Sequence, residues 1–256
     1  MEKILTVTRS GSRISSSVQK FISAGVFPGA VIMAGRPGRV LCHEAFGNAR
    51  VRPDLVPMRP DSIFDVASVS KVVATATAVA ICADLGLVDF DAPACAYLAS
   101  FAGRDTRGIT VRQLATHTAG LGEDKLDNRQ GQALIEALQS APVARPPDTA
   151  YAYSCPGYIL LGLLVEAVSG RPLAEFCAEH IFRPLGMADT RFGPPADHSR
   201  VVGTQRPRPG DISDNTARAA GRPVGNAGLF TTAADLGCFC EMMLGSGERG
   251  GVRVLS

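Results

Sequence analysis

The sequence lacks the features that mark several common classes of protein. Its 26 basic residues nearly balance its 24 acidic ones, so the formal net charge is only +2, too weak to attract nucleic acid or an anionic membrane. No apolar run approaches the roughly 20 residues of a membrane-spanning helix, and the first residues lack the apolar core of a secretory signal. We therefore expect a cytoplasmic protein without a membrane span that acts on a small molecule. The oligomeric state stays open.

Cysteine and histidine are too scattered to predict a disulfide framework or a metal site. Seven cysteines, an odd number, are spread over 256 residues, without the dense spacing of disulfide-stapled domains. Cys238 and Cys240 lie two residues apart and do not form a CxxC pair, and the four histidines are far from them and from one another. We expect reduced cysteines, no metal and no cofactor.

The pattern of apolar residues predicts a single α+β domain over residues 1–256. Ile14, Val18 and Phe21 form one stripe of an amphipathic helix over roughly 12–24, and two short apolar runs at 30–34 and 40–46 predict a β-hairpin. Residues 69–87 are apolar nearly all round, which is typical of a buried helix. Further helices are predicted over 110–116, 130–140, 156–169, 172–180 and 232–245, and a surface loop over 195–225.

Lysine is rare in this chain, which makes each lysine a candidate for chemistry that arginine cannot perform. Of the 26 basic residues only four are lysines. Burial can hold a lysine amine neutral, and a neutral amine can act as a base. Lys71 follows Ser68 by three residues at the start of the predicted buried helix, so the two share a helix face. The amine could take the hydroxyl proton, and the helix N-terminus would favour an oxyanion.

The spacing Ser-x-x-Lys is weak evidence by itself, because chance matches to so short a pattern are expected. Ser17 and Lys20 match it as well, but the apolar face of their helix is formed by other residues, so this pair is interpreted as a solvated surface. For Ser68 and Lys71 the alternative interpretation is a helix cap beside a lysine whose ammonium group reaches solvent.

Five longer segments occur in an informative order along the chain. They are Ser-Ile-Phe-Asp-Val-Ala-Ser-Val-Ser-Lys at 62–71, Thr-Val-Arg-Gln-Leu-Ala-Thr-His-Thr-Ala-Gly-Leu at 110–121, Tyr-Ser-Cys-Pro-Gly-Tyr-Ile-Leu-Leu-Gly at 153–162, Phe-Arg-Pro-Leu-Gly-Met-Ala-Asp-Thr at 182–190 and Gly-Leu-Phe-Thr-Thr-Ala at 228–233. This set resembles the serine β-lactamase and penicillin-binding-protein family, in its branch of class C-like β-lactamases, esterases and D-amino-acid peptidases. The resemblance implies a β-lactamase/transpeptidase-like fold, an antiparallel sheet flanked by helices with an inserted helical region. It also implies a metal-free serine hydrolase that forms an acyl-enzyme with an ester, amide or β-lactam.

The same resemblance implies roles for individual residues. By position, Ser68 corresponds to the acylated nucleophile, Lys71 to its base and Tyr153 to the phenol that passes a proton to the leaving group. Tyr151 is interpreted as a packing residue, because the segments align through Tyr153. His117 belongs to a structural helix–turn segment in the resembling proteins, and we do not assign it to the chemistry.

The sequence departs from the family pattern in three ways. Cys155 occupies a substrate-binding position where the family usually has Asn or Asp, so Lys71 lacks an expected orienting partner. Asn226 stands where many relatives have His. The third box, Lys-Thr-Gly or His-x-Gly, is not found at a suitable place, and loss of an oxyanion donor of the kind it supplies lowers rates by ~10²–10³. We therefore expect a chain shortened at its C-terminus relative to the family, with an incomplete sheet, exposed apolar surface and low turnover.

Two other interpretations stay open. One is a catalytically impaired binding module or a gene fragment with the same fold. The other is a cysteine-dependent hydrolase using Cys155, which would need a nearby histidine, although the nearest in sequence, His180, lies 25 residues away. Labelling of Ser68 by a fluorophosphonate or a penicillin would identify a working serine nucleophile and exclude a mere pocket.

Overall fold

The computed structural model describes residues 10–103, 106–122, 129–140, 142–203 and 210–256. Its helices are α1 (Ser10–Ser23), α2 (Thr77–Asp84), α3 (Val111–Ala115), α4 (Gly131–Gln139), α5 (Cys155–Ser169), α6 (Leu173–Cys177), α7 (Asn215–Ala220) and α8 (Ala233–Leu244). A π-helical segment, Lys71–Ala76, leads into α2, and a second one, Ala178–Phe182, follows α6. Short 3₁₀ turns occupy Ala94–Ala96 and Ala99–Phe101. Within the described ranges none of the helices combines the length and the apolar character required to cross a bilayer.

The helices predicted from apolar periodicity are all present, but α7 corrects one prediction. It lies inside the stretch 195–225, which the sequence predicted as a loop; residues 204–209 of that stretch lie outside the described residues. The carboxylate of Asp214 accepts the Ala217 N–H at 2.7 Å and begins the helix. Gly221, with a φ of 65°, ends it. These two caps allow a six-residue helix that is too short to show a clear period.

The predicted hairpin is present and longer than expected. Strands β1 (Gly29–Arg36) and β2 (Arg39–Arg50) pair antiparallel, and β3 (Val56–Pro57) adds to the free edge of β2. Helix α8 packs on β1. The approach is close because Gly237 has no side chain, and a Cβ at that position would lie 2.8 Å from Met33 Sδ.

A second antiparallel sheet was not predicted from the sequence. It contains β4 (Phe64–Asp65), β5 (Arg191–Phe192) and β6 (Leu229–Thr231) in the order β4-β6-β5. A separate hairpin is formed by β7 (Glu248–Arg249) and β8 (Val252–Arg253). Strands of two or three residues cannot show an alternating pattern, which explains why the sequence did not reveal them. The combination of helices and antiparallel sheets confirms the predicted α+β class.

The core is built around α2 and α5, which pack against each other. Leu160, Leu161 and Leu164 of α5 are completely buried. The chain at Gly225 presses against α5, because a Cβ there would overlap the carbonyl oxygen of Tyr158. This close approach places the residue that follows Gly225 beside the π-helical segment that leads into α2.

Candidate active site

Ser68 lies in a strained turn between β4 and the helical segment that begins the central helix. Ala67, directly before it, has a φ of 44°, a conformation that residues with a Cβ rarely adopt. The Asp65 carboxylate accepts the Ala67 N–H at 2.9 Å and, with its other oxygen, the Ser213 N–H at 2.7 Å. One carboxylate therefore holds the turn and joins it to the chain that precedes α7.

Ser70 provides a second support for this turn. Its buried hydroxyl donates to the Ala67 carbonyl at 2.5 Å and accepts the Leu229 N–H of β6 at 3.1 Å. The start of the helix is thereby attached to the second sheet. The sequence analysis missed this role, since Ser70 and Leu229 are 159 residues apart and no local pattern marks the contact.

The Lys71 ammonium group is buried and fully hydrogen-bonded. The residue is 3% exposed, and its Nζ donates to Ser68 Oγ at 3.0 Å, to the Asn226 carbonyl at 2.8 Å and to Cys155 Sγ at 3.5 Å. These three acceptors match the three N–H groups of an ammonium. The alternative interpretation, in which Lys71 reaches solvent, is therefore wrong.

Tyr153 completes a cluster around the Ser68 hydroxyl. Its phenol donates to Ser68 Oγ at 2.7 Å, and Lys71 Nζ lies 4.8 Å from the centre of its ring. Tyr153 is 41% exposed, so the cluster opens to solvent on this side. The structure thus brings together all four site residues named from the sequence: Ser68, Lys71, Tyr153 and Cys155.

The neighbouring tyrosines differ from Tyr153 in what they contact. Tyr151 is 68% exposed and its ring meets that of His117 in a T-shaped arrangement, so it packs less than the sequence analysis expected. The Tyr158 hydroxyl donates to the Ala115 carbonyl at 3.0 Å. Burial raises the pKa of Tyr158 most, and the proximity of Tyr153 and Tyr151 raises it further. Tyr158 therefore stays protonated, and Tyr153 is the phenol placed at Ser68.

Asn226 contacts the site through its main chain. Its carbonyl accepts from Lys71, while its side-chain amide donates to Asp214 Oδ1 at 3.0 Å. Among the described residues, no donor reaches the buried Oδ1 of Asn226. The Asn226 side chain therefore bonds Asp214, whereas the contact with Lys71 needs only a backbone carbonyl.

Residues 14–255 match the family model described as Beta-lactamase. The chain therefore belongs to the β-lactamase family, which confirms the resemblance found in the sequence.

Individual relatives agree with this assignment. Penicillin-binding protein 4 of Amycolatopsis lactamdurans is 32% identical over 246 residues, which cover 90% of this chain and 63% of that protein. Esterase EstB of Burkholderia gladioli is 34% identical over 186 residues, which cover 64% of this chain and 47% of the esterase. The structure of a class C β-lactamase from Rhodobacter sphaeroides has a TM-score of 0.75 at 25% identity, covering 92% of this chain and 66% of that one. The chain thus spans less than two thirds of the length of these curated relatives.

Proposed function

We propose that this protein is a serine hydrolase that forms an acyl-enzyme with a small ester, amide or β-lactam. Ser68 is the nucleophile, Lys71 its base and Tyr153 the proton relay. The observation that carries the proposal is the position of Ser68 Oγ, which lies 3.0 Å from Lys71 Nζ and 2.7 Å from Tyr153 Oη. A serine oxygen within reach of both an amine and a phenol can lose its proton to one group while the other serves the leaving group.

For Lys71 to act as the base, the ammonium must first give up the proton that it donates to Ser68. The Ser68 hydroxyl then donates to the Nζ lone pair, while the two remaining N–H groups keep the Asn226 carbonyl and Cys155 Sγ as acceptors. Lys71 takes the hydroxyl proton as Ser68 Oγ bonds to the substrate carbonyl carbon. Within the described part of the chain the Ser68 backbone N–H donates to no acceptor, so it is available to the oxyanion that forms.

Collapse of the tetrahedral intermediate requires a proton on the leaving group. The Tyr153 hydroxyl faces the cluster from its open side and supplies that proton, and the resulting phenolate is stabilised by the Lys71 ammonium 4.8 Å from its ring centre. The ammonium then passes a proton to the phenolate, which restores the phenol and the neutral amine. Water completes the cycle by the reverse sequence: it loses a proton to the base as its oxygen bonds to the acyl carbon, and Ser68 Oγ takes a proton back as its bond to the acyl group breaks.

Cys155 is the weak point of the proposed site. Its thiol lies where a substrate-binding group is expected, but sulfur is a poor hydrogen-bond partner for either a substrate carbonyl or an ammonium. This departure favours one second candidate, a family member that binds the same small molecules and acylates poorly or not at all.

The experiment that tests the proposal is covalent labelling followed by intact-protein mass spectrometry. Wild-type protein is incubated with a fluorophosphonate, a penicillin and p-nitrophenyl esters, and the modified peptide is sequenced. We expect one adduct, on Ser68, which is absent from Ser68→Ala and unchanged in Ser17→Ala, the control with the same Ser-x-x-Lys spacing. Folded wild-type protein that takes up no probe would refute the proposal and support the binding module, and labelling of Cys155 would support the cysteine-dependent hydrolase.

A further inference from the structure

His117 lies between two tyrosine rings next to the proposed nucleophile. The centre of its ring is 4.7 Å from that of Tyr153 and 5.0 Å from that of Tyr158, with interplanar angles of 36° and 34°. Tyr151 meets the same ring edge-on at 5.7 Å. Aromatic rings at these distances attract and restrict one another. The orientation of the Tyr153 ring therefore depends on His117.

The backbone on either side of Tyr153 is also bonded to His117. The Ala152 N–H donates to the His117 carbonyl at 2.9 Å, and the Ser154 N–H donates to His117 Nδ1 at 3.0 Å. Tyr153 is the residue between these two donors. The position of its phenol thus depends on one bond that any residue at 117 could make and on a second that needs a side-chain acceptor.

The bond from Ser154 defines the protonation state of the ring. A nitrogen that accepts a backbone N–H carries no proton itself, so the neutral ring holds its proton on Nε2. Burial lowers the pKa of His117, and the nearby Lys71 charge lowers it further. Among the residues that the structure describes, the titratable groups that contact the ring or act on its charge are Lys71 and the tyrosines 151, 153 and 158. Protonation would add a proton to Nδ1. The ring would then present an N–H group to the Ser154 N–H, and the hydrogen bond between them would be lost.

We infer that neutral His117 is a positioning residue for Tyr153: it holds the phenol at Ser68 Oγ, and its protonation releases the phenol and slows acylation. The predicted effect of His117 on the acylation rate rests on the proposed function. The predicted effect of His117 on the position of Tyr153 does not. In the described part of the chain Ser68 Oγ is hydrogen-bonded by Lys71 and Tyr153 and not by His117, so the role of His117 differs from that of a catalytic base. A proton relay displaced by about 1 Å can lose ~10²-fold in rate, which sets the upper limit of the expected effect.

The variant His117→Asn keeps a side-chain hydrogen-bond acceptor at position 117 but removes the titratable ring. His117 has a φ of 60°, a conformation that asparagine adopts more readily than most residues. The amide oxygen of His117→Asn can accept the Ser154 N–H at any pH, whereas His117→Ala has no side-chain acceptor. His180→Asn is the matched control, because the His180 ring packs on Phe176, with centres 4.4 Å apart, and is not among the groups described above around Tyr153.

The first measurement is the rate of fluorophosphonate labelling of Ser68 as a function of pH. Because the pKa of His117 is lowered, we expect wild-type labelling to fall at a pH lower than about 6.5, the ordinary pKa of histidine. His117→Ala should label about 10- to 100-fold more slowly at pH 7. His117→Asn should stay within about tenfold of wild type and lose the acid step, and His180→Asn should keep it. The same acid step in His117→Asn as in wild type would overturn the inference.

The second measurement does not require catalysis. Long-range ¹H–¹⁵N NMR spectra report the tautomer and pKa of each histidine, and the His117 signals are identified by their loss in His117→Asn. We expect an Nε2–H tautomer and Tyr153 ring signals that shift with the titration of His117. If no probe labels Ser68 but these shifts are present, the proposed function fails and the positioning role stands. An Nδ1–H tautomer, or Tyr153 signals that ignore the titration, would refute that role.

Discussion

Replacing Cys155 with asparagine should make acylation faster. Lys71 Nζ lies 3.5 Å from Cys155 Sγ, the longest of its three contacts. An asparagine at the first turn of α5 would offer an amide oxygen to the amine and an amide N–H to a substrate carbonyl. Cys155 is only partly buried, so the slightly larger side chain does not have to displace the core.

The size of the effect follows from the kind of hydrogen bond that is exchanged. A bond to a charged group contributes about 1.5–3 kcal/mol, and a weak contact with a thiol contributes less. A net gain of about 1–2 kcal/mol in the acylation transition state corresponds to a rate increase of roughly 5- to 30-fold. The stabilisation is greatest in the transition state, where Lys71 becomes an ammonium. We therefore expect the substitution to raise kcat more than it changes KM.

The assay is the burst of p-nitrophenol released from an activated ester, which reports acylation separately from turnover. Cys240→Asn, an exposed cysteine on α8, controls for the loss of a thiol, and a thermal melt verifies that Cys155→Asn is folded. An equal or smaller burst rate in folded Cys155→Asn would show that the thiol is accommodated and that the argument from hydrogen bonding is wrong.

Three further changes test the site and its support. Tyr153→Phe removes the hydroxyl 2.7 Å from Ser68 Oγ and should slow the ester burst by ~10²–10³ without altering the melting temperature. Burial raises the pKa of Asp235, so the native state binds this proton more tightly than the unfolded chain. Stability should therefore fall as the pH rises from about 4 through that pKa, and urea titrations of Asp235→Asn should lack this fall. In Gly225→Ala the new Cβ would overlap the Tyr158 carbonyl, so the free energy of unfolding measured in urea should fall by about 3 kcal/mol. Gly86→Ala is the control, because Gly86 lies in open space with a φ of 70°. There the free energy of unfolding should fall by about 1 kcal/mol. Equal effects at the two glycines would contradict the packing argument.

The helices could be predicted because their signals are local. Helix α5 has an apolar run, Ser154 as its N-cap, Pro156 in its first turn and Gly170 at its end, where the chain takes a φ of 67°. Helix α7 has similar caps but only six residues, which gave too little periodicity to outweigh the surrounding Pro and Gly. The strands of the second sheet are defined by their partners, not by their own residues.

The candidate site also has one part that the local sequence predicts and other parts that it does not. The spacing of Ser68 and Lys71 is local, and the geometry of a helical turn brings the two side chains together. Tyr153 could be named only through the resemblance to a family, since 85 residues separate it from Ser68. The supports of the turn at Ser68 depend on contacts between distant segments, such as Asp65 with Ser213, 148 residues apart. No single-sequence pattern encodes such a contact.

The two departures from the family pattern around Lys71 have unequal consequences. At Asn226 the lysine bonds a main-chain carbonyl at 2.8 Å, and any residue that keeps the backbone in place supplies that acceptor. The backbone is kept in place by Gly225, whose lack of a side chain allows the approach to α5. At Cys155 the acceptor is the side chain itself, so the substitution changes the strength of the contact directly. The effect of the sequence change on Lys71 is therefore concentrated at Cys155, and Lys71 Nζ has one weak and one strong acceptor besides Ser68 Oγ.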